Sequence, residues 1–310
     1  MRRIAVVLGL LLAGPALGQG SRPADDPEAH IVEELVVQAR EPGPAWWRVG
    51  DRNATVYILA VPDGPVPPVA WDHTVLERRL KGASALVGQV GFHAGLRDIP
   101  AVLRLRAQLK SRTLMEAGLP PALAARYTAD AQQGGKSAGR FSGWQPLAAG
   151  AFLLRESHGR WQAVAPLVRA AARRAGVKVE AAGTYAAMPL AQTAVKTLTP
   201  AEQQACLGWA LDDVEAGEAR ARRAAEGWAR GDVAVALTAP RGFDRCLLVL
   251  TGGAQLWTDV TRDEAEAIAG ALGKPGHAVA VVGLRRLLAQ DGVIARLQAK
   301  GLHVTGPGEP

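Results

Sequence analysis

Cysteine is scarce, with two residues in a chain of 310. Neither lies directly after the N-terminal apolar run, which argues against a lipid-anchored lipoprotein. After that run no stretch is long and apolar enough for a membrane helix, which needs about 20 such residues. A transmembrane segment in the mature chain is therefore not expected. No Gly-x-Ser-x-Gly elbow is present, and Ser157-His158, being adjacent, do not face each other as a dyad. The basic residues are scattered, as in Arg104, Arg106, Lys110 and Arg112, without the aromatic-interleaved stripe of a nucleic-acid surface. Gly134-Gly135-Lys136-Ser137 lacks the earlier glycine of a phosphate loop and follows a helix rather than a strand. Nucleic acid and nucleotide are thus set aside as partners.

What the chain does have begins at its N-terminus. Arg2 and Arg3 precede the apolar run Ile4 to Leu12, and Ala16-Leu17-Gly18 fits a small-x-small cleavage site. The expectation is a signal peptide over residues 1–18 and a periplasmic or secreted protein. Loss of Arg2 and Arg3 would take the formal charge from +7 to about +5. In an oxidising compartment Cys206 and Cys246, 40 positions apart, are expected to form one disulfide. Hydrophobic residues at 48% and charged residues at 21% suit a packed globular domain.

Along the chain, residues 19–30 read as a flexible leader. Ile31 to Val37 reads as a β-strand added to a sheet edge. Trp46 to Val49 and Thr55 to Leu59 read as a hairpin, its tryptophans packed in the core rather than on a sugar. A helix follows over 71–83 with Asp72 as its cap, then a strand over 85–90. Helices are expected over 101–117, 120–131, 160–175, 191–198, 200–230 and 262–272, with Thr199 capping the longest. Val177 to Val179 reads as a short strand, and Arg245 to Leu250 as a strand-like segment carrying Cys246. His277 to Val282 is a strand, 284–300 a helix broken near Asp291-Gly292, and 302–304 a last strand.

Two strand ends carry a family resemblance. The run Thr55-Val56-Tyr57-Ile58-Leu59 ends in Ala60-Val61-Pro62-Asp63, and Val279-Ala280-Val281-Val282 ends in Gly283-Leu284-Arg285-Arg286. Both contexts resemble the TraB/GumN family, which includes the Tiki-type metalloproteases. The closing frame Gly283, Leu287, Asp291-Gly292, Leu297, Gly301 and Val304 is similar as well. The resemblance implies an α/β (α+β) fold. A mixed central sheet would come from two pseudo-repeated halves flanked by helices, within one domain over 31–310. An alanine-rich helical section fills about 100–235. Strand ends from the two halves would meet at one polar pocket.

In the family each strand is followed by Gly-x-x-His, and the histidines are thought to hold a catalytic metal. Here Asp63 and Arg286 stand in those registers. The family's acidic residue falls on Gln89, and its Arg-Asn pair corresponds to Arg262-Asp263 within a residue or two. Divalent transition metals such as manganese, cobalt or zinc need imidazole or carboxylate ligands converging on one point. Arginine stays protonated and repels a cation, and a neutral glutamine is no general base. Of the histidines considered, His73, His93, His277 and His303, only His93 lies near the expected rim. The expected binding residues are Asp63, Gln89, His93 and Arg286, with an Asp63–Arg286 pair bridging the halves, no metal and no cofactor. The reading is a non-catalytic envelope protein that binds a peptide or polysaccharide. The alternative is a metal-dependent hydrolase or peptidase of altered mechanism using Asp63. The link to polysaccharide production comes from the resemblance alone.

Overall fold

A computed structural model describes residues 26–50, 53–133 and 139–308. The expected signal peptide, residues 19–25 of the leader, the hairpin tip at 51–52 and the stretch from Gly134 to Ser137 lie outside the described residues, while residues 26–30 of the leader form a turn in which Glu28 is buried.

The apolar runs become the centre of a sheet. The strands are β1 (Trp46–Gly50), β2 (Ala54–Val61), β3 (Leu86–Gly88), β4 (Gly91–His93), β5 (Val179–Ala181), β6 (Thr184–Ala186), β7 (Gly276–Gly283) and β8 (Val304–Thr305). Six of them form one mixed sheet in the order β5-β3-β7-β2-β1-β8. β2 and β7 are neighbours and parallel, in register from Ala54↔Gly276 to Val61↔Gly283. β3 runs parallel to β7 and to β5, while β1 is antiparallel to both β2 and β8. β2 and β7 are buried along most of their length, which explains their near-continuous aliphatic runs. The expectation that strands 55–60, 85–90 and 278–282 share one sheet therefore holds.

The helices are α1 (Thr74–Leu80), α2 (Ile99–Gln108), α3 (Pro121–Gln133), α4 (Pro146–Ser157), α5 (Val164–Arg174), α6 (Ala187–Thr197), α7 (Pro200–Ala229), α8 (Val233–Ala236), α9 (Gly242–Val249), α10 (Gly253–Ala271), α11 (Leu284–Leu288) and α12 (Val293–Ala299). Asp72 accepts the Thr74 N–H at 2.8 Å from one position ahead of the N-cap residue, which is His73 rather than the expected Asp72. Thr199 and Glu202 cap each other's backbone N–H at the start of α7, with Pro200 in the first turn. α7 bends at Gly217, whose φ of 74° leaves the helical region. The Trp228 indole N–H donates to the Ala60 carbonyl at 2.8 Å and fixes the end of α7 to β2. The central helices build a second core of Met115, Leu119, Tyr127, Ala149, Leu153, Leu207 and Leu211. Burying a large aliphatic side chain contributes about 1.5–3 kcal/mol, so both cores matter to stability. Among the described residues no helix is long and apolar enough to cross a membrane.

Cys206 on α7 is bonded to Cys246 on α9, with Cα atoms 4.9 Å apart. The segment around Cys246 is helical, not strand-like. Two further expectations are corrected, and two features were not expected. Residues 31–37 form no strand: Glu33–Leu35 is a single 3-10 turn, and only isolated bridges flank it. The strand expected to reach Val90 ends at Gly88, so Gln89 lies beyond it. β4 and β6 form a separate two-stranded parallel sheet that the sequence did not suggest. α4, absent from the expected elements, packs so closely on α7 that a Cβ at Gly150 would stand 3.1 Å from Ala210 Cβ.

Candidate binding site at the carboxyl ends of the parallel strands

Because β2, β7, β3 and β5 run parallel, their carboxyl ends open on one edge of the sheet. In open α/β sheets that edge is where ligands bind. Asp63 follows β2 and Arg286 lies in α11 just past β7, so the two halves converge there. A Cβ at Gly283 would sit 2.2 Å from Asp63 Oδ1 and 3.4 Å from Arg286 Nη2. Glycine is needed at position 283 for the Asp63 carboxylate to lie against the backbone.

The two side chains share this corner but bond elsewhere. Arg286 donates to Glu264 on α10, Nε to Oε2 at 2.8 Å and Nη2 to Oε1 at 3.3 Å. Glu264 is only 1% exposed. Asp63 Oδ2 accepts the Arg285 backbone N–H at 3.2 Å, and Oδ1 is buried with no partner among the described residues. The expected Asp63–Arg286 bridge is therefore corrected to an Arg286–Glu264 pair beside Asp63. The reason is competition: Glu264 offers both carboxylate oxygens in a fork that a guanidinium matches.

The charge state follows from this packing. Burial pushes the Asp63 carboxyl up to about 7, helped by the negative charges of Glu28 and Asp244 and opposed by Arg286 and the Arg285 N–H. Asp244 is likewise pushed up to about 7, first by burial and then by Glu28. Burial works against the Arg286 charge, but Glu264, Asp63 and Glu28 outweigh it and hold the guanidinium protonated.

A second group of residues covers the corner from the N-terminal side. Glu28 is 5% exposed. It accepts the Trp257 indole N–H at 3.0 Å and an Arg241 N–H at 3.1 Å. Arg241 also grips both oxygens of Asp26, at 2.9 and 3.0 Å. Arg285 Nη1 donates to the Glu28 carbonyl at 3.3 Å. Glu28, Arg241, Trp257, Glu264 and Arg285 were not among the expected site residues. One of them had a sequence signal: Glu264 interrupts the otherwise uncharged buried stripe Trp257, Val260, Thr261, Ala265 and Ile268 of α10.

Neither Gln89 nor His93 hydrogen-bonds to Asp63 or Arg286. Gln89 lies just beyond β3 and is half-buried, while His93 is on β4 and exposed. The Arg262–Asp263 pair lies against β6. Asp263 accepts the Tyr185 hydroxyl at 2.7 Å and an Arg262 N–H at 3.0 Å.

These residues do not fit a transition-metal centre. Among the described residues no group of three His, Cys, Asp or Glu side chains is placed to hold a metal ion. The carboxylate at the centre, Glu264, is already bound to a cation that cannot lose its charge.

A family model described as the TraB/PrgY/gumN family matches residues 45–306. The chain belongs to the TraB/PrgY/gumN family. No curated protein and no solved structure matches it. Within the TraB/PrgY/gumN match fall both strand ends, Glu264, Arg286 and the whole six-stranded sheet. Asp26 and Glu28, which cover the corner, precede it.

Proposed function

We propose that this TraB/PrgY/gumN protein is exported and serves in the cell envelope as a binding or scaffold protein without metallopeptidase activity. The Arg286–Glu264 pair carries the reading. It places a permanent cation where the family resemblance puts a metal-ligating histidine, and it engages both oxygens of the nearest fully buried carboxylate. A cation at that position repels a divalent metal and cross-links α11, which follows β7, to α10. The ligand class suggested by the resemblance is a peptide or polysaccharide. The export signal and the single disulfide support an envelope location.

A second reading rests on Asp63. A buried carboxyl titrating at about 7, with one unpartnered oxygen, has the properties of a general acid or base. No nucleophile is bonded to it, and neither Gln89 nor His93 reaches it, so this hydrolase reading stands second. Incubating purified mature protein with an unstructured protein substrate and manganese, cobalt or zinc separates the two. The first reading expects no cleavage above a metal-only control. Cleavage lost in Asp63→Asn would establish the second. Cell fractionation checks export, with recovery in the cytoplasm counting against it.

A further inference from the structure

The polar corner at the ends of β2 and β7 is occupied, and its occupant is the chain itself. Residues 26–29 form a turn, with the Ala29 N–H on the Asp26 carbonyl at 2.9 Å and the Glu28 N–H on Asp26 Oδ1 at 3.1 Å. The turn presents the carboxylates of Asp26 and Glu28 together to one guanidinium, that of Arg241. Beyond it the backbone is held in the manner of an added strand. Ile31 bridges Ala289 antiparallel, the Val32 N–H donates to the Leu288 carbonyl at 3.0 Å, and the Gln290 N–H donates to the His30 carbonyl at 2.9 Å. Two carboxylates held by Arg and Trp donors, followed by backbone pairing, is the pattern of peptide recognition.

We infer that Arg241, Trp257 and Arg285, with the 288–290 backbone, form a receptor for a short acidic peptide of Asp-x-Glu type. The Asp26-Pro27-Glu28 segment of this chain is its internal occupant. The inference rests on reading the corner as a binding site rather than a catalytic one, and names the ligand class for it.

Two features make the segment a displaceable occupant rather than an ordinary core element. It lies outside the family span 45–306, whereas Arg241, Trp257, Arg285 and the 288–290 backbone that hold it lie inside that span. The cradle also keeps an unused donor, since Arg241 Nε is buried without a partner among the described residues. A fitting ligand would accept from it.

The test uses the full mature chain and a fluorescein-labelled peptide of residues 26–38. In wild type the internal segment competes, so apparent affinity is scaled down by the fraction of molecules in which the corner is open. Weakening that segment with Asp26→Asn and Glu28→Gln should raise apparent affinity for the labelled peptide by about tenfold or more. The same peptide carrying Asn and Gln at positions 26 and 28 should not bind this variant. Adding Arg241→Ala should remove the gain. If Arg241→Ala fails to fold by circular dichroism, Arg241→Lys takes its place, and the acidic-versus-amide peptide comparison needs no further variant. Equal affinity for wild type and variant would overturn the inference, as would equal binding of the two peptides. So would saturable binding of an acidic polysaccharide, such as polygalacturonate, without peptide binding. None of these results depends on metal content, so failure here leaves the non-catalytic reading intact.

Discussion

Replacing Glu264 with glutamine removes one charge from the centre of the site and leaves its shape unchanged. Glu264 is 1% exposed and binds Arg286 through both oxygens. At an effective dielectric near 20, a pair at this distance interacts by about 4 kcal/mol. Losing one partner of a buried pair costs about 3–5 kcal/mol, because the other charge stays buried without compensation. Asp63 is near enough to recover part of that. The expected loss for Glu264→Gln is therefore about 3 kcal/mol, or roughly 10 °C in thermal midpoint for a chain of this size. Urea titration and thermal scans followed by circular dichroism read it directly. A paired replacement, Glu264→Leu with Arg286→Met, should return stability to within about 1 kcal/mol of wild type, since neither charge is then stranded. A single-variant loss below about 1 kcal/mol would refute the claim that this pair bears the cross-link.

Removing the disulfide with Cys206→Ser and Cys246→Ser should lower stability by about 3–4 kcal/mol, the loop-closure value for its 40-residue separation; urea midpoints with and without reductant measure it. Asp63 has a carboxyl raised from 3.8 to about 7, so the folded state binds the extra proton. Its contribution is fully present below about pH 4 and is lost as pH rises through about 7. Asp63→Asn should accordingly gain up to about 4 kcal/mol over wild type at pH 8, and nothing near pH 4; a gain growing towards acid would contradict this. Asp63→His with Arg286→His should release Glu264 and bring three donors to one corner. Cobalt binding by its visible absorption is then expected, where wild type shows none.

The sheet was legible because β2 and β7 are aliphatic runs long enough to identify without partners. Asp63 and Arg286 were legible because each sits a few residues past such a run. Their pairing was not. Glu264 reaches Arg286 from a helix 22 positions earlier, and no local pattern encodes that contact. The segment 31–37 was misread because Ile31, Leu35, Val36 and Val37 mimic a strand, although tertiary bonds to 288–290 make it a strap. The run Leu247 to Leu250 misled in the same way: its aliphatic content suits a strand, while Cys246 ties it as a helix against α7. α4 escaped notice because its glycine and alanines give a weak apolar rhythm, and its packing on α7 depends on that small size.

The proposed role requires that the Arg286–Glu264 pair leave no place for a divalent metal at the strand ends. Metal analysis of the purified mature protein, after equilibration with manganese, cobalt and zinc and then gel filtration, tests it most directly. The account predicts far less than one equivalent of each metal, unchanged by Asp63→Ala. One equivalent of any of them, lost in Asp63→Ala, would contradict it.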